Sequence, residues 1–115
     1  MKRLIFTVMC LCMLTAPCVS HEMQPALLLI EQIGEDTYDL LFKVPSSGPR
    51  QRLPLSVRLP DDCETVVPFT STYVDTAFVD RATIRREGGL NGAEIEIEGV
   101  VETMTDVLVR VEHLE

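Results

Sequence analysis

The chain has 115 residues, with 10 Lys+Arg against 18 Asp+Glu and a formal net charge of −8. At 46% apolar and 24% charged it is neither a disordered tail nor a fibrous repeat, and its length fits one domain. The acidic balance excludes a nucleic-acid binder that works by neutralising phosphates, and 2 His with 4 scattered Cys are poor material for a metal finger.

Residues 1–20 are built differently from the rest. Lys2 and Arg3 give a basic start, an uncharged apolar run follows, and Ala16-Pro17-Cys18-Val19-Ser20 closes it. This is the pattern of a secretory signal peptide cleaved after Ser20, with small residues at the peptidase positions. The rival reading is a membrane anchor. The uncharged run is at the short end of a spanning helix and is broken by Pro17 and small polar residues. A lipoprotein signal fits less well, because Pro17 precedes Cys18. Cleavage leaves 21–115, a still more acidic domain, in the periplasm or outside the cell. Cys10, Cys12 and Cys18 depart with the leader, so Cys63 is left as a lone thiol. Its readings are a buried thiol, an intermolecular disulfide or a metal ligand.

From residue 26 the dominant period is two. A strand predicted over 26–33 turns through Gly34-Glu35-Asp36 into a second, in which Tyr38, Leu40, Phe42 and Val44 alternate with Thr37, Asp39, Leu41 and Lys43. After a loop at 45–49, Leu53, Leu55, Val57 and Leu59 alternate with Pro54, Ser56 and Arg58. Pro60-Asp61-Asp62 turns into a strand over 63–69, and 70–75 reads as irregular. A strand over 77–86 precedes a glycine-rich turn at 88–92. Next, Ala93, Ile95 and Ile97 alternate with Glu94, Glu96 and Glu98. Last, Val107, Val109 and Val111 alternate with Asp106, Leu108, Arg110 and Glu112. One buried and one wet face per strand suits an antiparallel sheet, and no helical period of useful length occurs. About seven short strands with turn signals between them predict an all-β, immunoglobulin-like antiparallel β-sandwich. Pro54 and Pro68 mark edges or bulges. The row Glu94, Glu96 and Glu98 reads as a solvated face that discourages edge pairing, with an acidic metal row as the rival.

Candidate chemistry is sparse. Ser46, Ser47, Ser56 and Ser71 lack a Gly-x-Ser-x-Gly elbow, and Gly88-Gly89 leads into a β pattern, so it cannot cradle phosphate at a helix start. No carboxylate pair stands out from so many, and an enzyme is not expected. One sharper candidate is His21. Cleavage after Ser20 would give it a free α-amine beside its imidazole, a chelate suited to copper or nickel, with Glu22 or His113 as further ligands. The plainer reading is a polar lead-in to the first strand.

His21-Glu22-Met23-Gln24-Pro25-Ala26, Tyr38-Asp39 and Lys43-Val44-Pro45 open the domain. Gly88-Gly89-Leu90-x-Gly92, Ile95-x-Ile97-x-Gly99 and Thr103-x-Thr105-Asp106-Val107-Leu108-Val109-Arg110-Val111 close it. With these motifs the chain resembles the N-terminal extracytoplasmic domain of HupE/UreJ-type membrane proteins. The resemblance implies a β-rich head exported ahead of a multi-helix membrane region, which this sequence does not include. Family associations with nickel transport and with hydrogenase or urease accessory roles belong chiefly to that region. It also implies a second Cys in the strand before the Gly-Gly-Leu turn, where Arg86 stands here.

The motif residues also have plain structural roles. The four motif glycines serve turns or close strand approach, Thr105 and Asp106 cap a loop through backbone amides, and Arg110 pairs with Asp106 or another acid across strands. The leading expectation is a non-catalytic exported module that acts by contact with a membrane protein or membrane-associated partner. A small metal-binding protein anchored on His21 is the alternative.

Overall fold

A computed structural model describes residues 24–114. The leader at 1–20, its three cysteines, His21 and Glu22 lie outside the described residues. The described chain is mostly β: β1 (Ala26–Gln32), β2 (Thr37–Pro45), β3 (Ser56–Arg58), β4 (Glu64–Val74), β5 (Ala77–Arg85), β6 (Glu96–Glu98), a single helical turn α1 (Val100–Thr103) and β7 (Val107–Glu112). Among the described residues, no helix is long and apolar enough to cross a membrane.

Five strands form one sheet in the order β4-β5-β2-β1-β7, and β3 and β6 form a second, two-stranded sheet. Alternation sets the inner face of the large sheet. Leu28 opposes Phe42, Ile30 opposes Leu40, and Tyr38 opposes Ile84, all with inward side chains that are almost fully buried. Leu53, Leu55, Val57 and Leu59 around β3, and Leu90, Ile95, Ile97 and Val100 around β6, pack against that face. The core is therefore the space between the large sheet and a smaller, partly irregular layer. The inner faces are apolar as the period-two pattern requires, whereas the outer face of the large sheet keeps half-buried Leu27, Leu29 and Leu41, and edge strand β4 exposes Val66, Val67, Phe69 and Val74.

The hairpins follow local chemistry. Between β1 and β2, the amides of Ile33 and Gly34 both donate to the Thr37 carbonyl at 2.9 and 3.2 Å, which closes the turn at Gly34-Glu35-Asp36. Residues 70–75, expected to be irregular, instead continue β4 to Val74. A two-residue turn at Asp75-Thr76, both with positive φ (49° and 59°), then feeds β5. That is the backbone hand of a tight hairpin turn, and polar Thr70–Thr72 gave no apolar alternation to reveal the strand. Pro68 sits where the β4 register on β5 slips, between Val67 and Thr70, so the expectation of a bulged edge at Pro68 holds. Pro54 falls before the short β3 and outside any strand.

A further departure concerns β7. It joins β1 in parallel, Ala26 beside Val107 and Glu31 beside Glu112, so the sheet is mixed where wholly antiparallel pairing was expected. The chain reaches β7 through α1, which carries it from the small sheet to the large one without a hairpin. Gly99 makes this possible. It has φ +95°, and a Cβ there would lie 2.1 Å from the Pro54 carbonyl oxygen. Only glycine fits both the left-handed backbone and the contact.

Candidate functional site

β7 closes one side of the large sheet, and β4 closes the other. The two edges are guarded differently. β4 carries Pro68 and two register shifts, devices that make an edge hard to extend. β7 carries none of these, and its register on β1 is unbroken over its 6 residues. The Ala26 amide donates to the Asp106 carbonyl at 2.9 Å, which fixes the phase of the parallel ladder. In that phase, Leu108, Arg110 and Glu112 direct their backbone groups to β1. Val107, Val109 and Val111 direct theirs outward. The Leu114 amide, donating to the Gln32 side chain at 3.0 Å, continues the same phase.

Three apolar side chains along this edge are uncovered among the described residues, interleaved with charged Arg110 and Glu112. Leu108 is 59% exposed, Val109 56% and Val111 45%. Val109 and Val111 point to the inner face, next to Leu28 and Ile30. Opposite them run Leu90, Ile95 and Ile97 of the smaller layer, and the space between is an open groove of ≈ 350 Å³ with His113 on its rim. The groove exists because the smaller layer has two strands against five in the large sheet. The smaller layer is too narrow to cover the large sheet as far as β7. Glu94, Glu96 and Glu98 are exposed on the other side of the β6 segment. On the outer face of β7, Arg110 meets Glu112 at 3.1 Å along the same strand, where a partner across strands was expected; Glu112 is the acid nearest in phase on that face.

Two charged clusters lie elsewhere. Asp80 sits on the inward phase of β5, opposite Phe42, with its side chain only 12% exposed. Arg52 answers it with two parallel bonds, Nη1 to Oδ1 at 2.8 Å and Nη2 to Oδ2. Nη1 also reaches Ser71 Oγ at 3.2 Å, and the guanidinium carbon lies 5.5 Å from the Phe78 ring centre. Burial pushes the Asp80 carboxyl up, but the hydrogen bonds from Arg52 and Ser71 and the Arg52 charge outweigh it, leaving the pKa below the ordinary carboxylate value. This cluster escaped the sequence reading. Its signal was a charged residue in the inward phase of the run Phe78, Asp80, Ala82, Ile84.

The second cluster surrounds Cys63. Its thiol is half-buried against the core, and burial raises its pKa. The buried-thiol expectation is thus corrected to a partly covered one, because β4 leaves the core's margin just beyond it. Arg86 Nε binds Asp62 Oδ1 at 2.9 Å. The β4–β5 register runs from Glu64 opposite Arg85. The next positions outward across it are Cys63 and Arg86.

The remaining sequence candidates fall as follows. His113 is exposed beyond β7, beside the Gln32 end of β1 and therefore at the end remote from Ala26. His21 and Glu22 lie outside the described residues. Among the described residues, no group of three or more His, Cys, Asp or Glu gathers as a metal site. All four motif glycines have positive φ. Thr105 caps differently than expected: its hydroxyl donates to the Thr103 carbonyl at 3.3 Å, because the left-handed turn after α1 presents a carbonyl there.

Fold and groove together define a class, an all-β two-layer module with an open apolar edge. No protein-family model matches the chain, and neither a curated protein nor a solved structure matches it.

Proposed function

We propose that the chain is a non-catalytic exported module that acts by contact, docking through the β7 edge and its groove onto a membrane protein or membrane-associated partner. In this reading residues 1–20 are the export signal, and the domain serves as the extracytoplasmic head that its resemblance to HupE/UreJ-type proteins implies. One observation carries it. The exposed apolar side chains Val109 and Val111 share the inner face of the unpaired β7 edge and line an open apolar groove with Leu28, Ile30, Leu90, Ile95 and Ile97. A contiguous apolar surface of this kind marks an interaction site, whereas scattered apolar residues do not. Its backbone groups offer a ready template for an extended segment.

A photo-crosslinking residue at position 109, introduced into the exported chain in its source cells, tests this directly. The expected result is a crosslink to a membrane-embedded protein, together with release of Val109→Asp chains into the soluble fraction. A wild-type chain free of membranes, trapped at position 109 by no protein other than itself, refutes the reading.

A further inference from the structure

We propose that β7 is a self-complementary edge through which two copies of this chain pair antiparallel about Val111, joining their large sheets into one. The proposal rests on the reading of β7 as a contact edge and names what meets it there.

Three observations lead to the second copy. The first is the choice of edge. β4 is blunted by Pro68 and its slipped register, whereas β7 is regular and unblunted. The second is backbone phase. Val107, Val109 and Val111 turn their N–H and C=O groups outward, so in any antiparallel union these odd-numbered positions must face odd-numbered ones. That restriction leaves few registers.

The third is side-chain complementarity, which separates the registers that remain. Centring the pair on Val109 places Asp106 opposite Glu112. A centre on Arg110 or on Glu112 places each opposite itself. Like charges directly opposed are unfavourable. Centring it on Val111 places Arg110 of each copy opposite Glu112 of the other, and Leu108 opposite Leu114. On the inner face, Val111 meets Val111 and Val109 meets His113. A centre on Leu108 would also oppose unlike charges, Asp106 and Arg110, but it sets Val111 and Glu112 against buried Thr105 and left-handed Met104 (φ 53°), which offer no strand to pair with. Among registers that keep to extended chain, only the Val111 one, which sets residues 110–112 of the two copies against each other and 108–109 against 114–113, satisfies both charges twice and opposes apolar to apolar on the outer face. Two-fold symmetry is what this requires, because the same patch serves both copies. It also brings the two apolar grooves end to end at the axis.

The exported chain, expressed whole and recovered from an export-competent host, is examined by sedimentation at about 0.15 M salt, where the screening length of about 8 Å limits repulsion between acidic copies. Wild type is expected to form a reversible dimer. Arg110→Glu and Glu112→Arg are each expected to weaken it about tenfold or more, since each opposes like charges twice. Mixed one to one, the two variants are expected to dimerise again, because every Glu then faces an Arg. Val111→Pro removes an outward N–H that β1 does not use, so it should leave the monomer's circular dichroism intact and abolish the dimer. A wild-type monomer at every concentration overturns the proposal. So does a dimer that survives Val111→Pro, or one in which Glu112→Arg has no effect. A monomer that is still crosslinked to a membrane protein through position 109 removes self-pairing and leaves the contact reading standing.

Discussion

Arg52→Ala should be the most informative single change for stability. Asp80 is the one acid directed into the inner face of β5, and Arg52 holds both of its oxygens while stacking over Phe78. Truncation leaves a carboxylate among Phe42, Phe78 and Val44 with no cation. Breaking a fully buried pair by removing one partner costs about 3–5 kcal/mol. Arg52 is 31% exposed, so water screens part of the attraction, and about 2–3 kcal/mol is the expected loss. For a domain of this size that lowers the melting temperature by roughly 10–20 °C. Because the folded pKa of Asp80 is depressed, the pair's contribution is fully present above the unfolded value and is lost as pH falls through the folded one. Wild-type stability should therefore fall below about pH 4, and Asp80→Asn should flatten that acid limb. Replacing both partners, Arg52→Met with Asp80→Leu, should recover most of the single-variant loss, since it leaves no unpaired buried charge. Urea melts followed by circular dichroism from pH 3 to 7 read all of these. If Arg52→Ala costs under about 0.5 kcal/mol at pH 7, the reading of Arg52 as the counter-charge that the inward Asp80 requires fails.

Other changes probe the same framework. Arg86→Cys should form a disulfide with Cys63, since the β4–β5 register puts the two positions side by side, and mass spectrometry of the oxidised chain would show the loss of both thiols. The bridge should stabilise by about 3 kcal/mol in a chemical melt. Thr76→Gly should stabilise by about 1 kcal/mol, because a β-branched residue at φ 59° is strained and an Asp-Gly pair suits the turn. Gly99→Ala should lower stability by more than about 3 kcal/mol or prevent folding, through the clash with the Pro54 carbonyl, and soluble yield with thermal melts will report it. Tyr38→Phe should cost about 1 kcal/mol, as the Leu90 amide loses its acceptor at 3.0 Å, and faster hydrogen exchange at Leu90 should accompany it.

The strands were legible wherever residues alternated. Leu28, Leu40, Phe42 and Ile84 are inward because their neighbours in sequence are polar or meet the outer face, and that phase is a local property of the chain. The turn at Gly34-Glu35-Asp36 and the bulge at Pro68 were legible for the same reason, since each follows from the backbone limits of a few residues. Where alternation failed, in polar Thr70–Thr72, the strand was invisible although its pairing with β5 is regular.

Strand partners are a different matter. A phase says which face is buried but not which neighbour lies alongside, and β7 would show the same pattern in either direction. It reaches its parallel place beside β1 through the turn at Gly99 and α1, where a glycine must pass against Pro54, a residue distant in sequence. The groove at that edge exists because the two-stranded layer is narrower than the five-stranded sheet it covers. The pairing of Arg52 with Asp80 depends on a loop crossing the sheet. Such features depend on how whole layers fit together, and only the tertiary structure decides them, because the energies that select them arise between segments no local pattern connects.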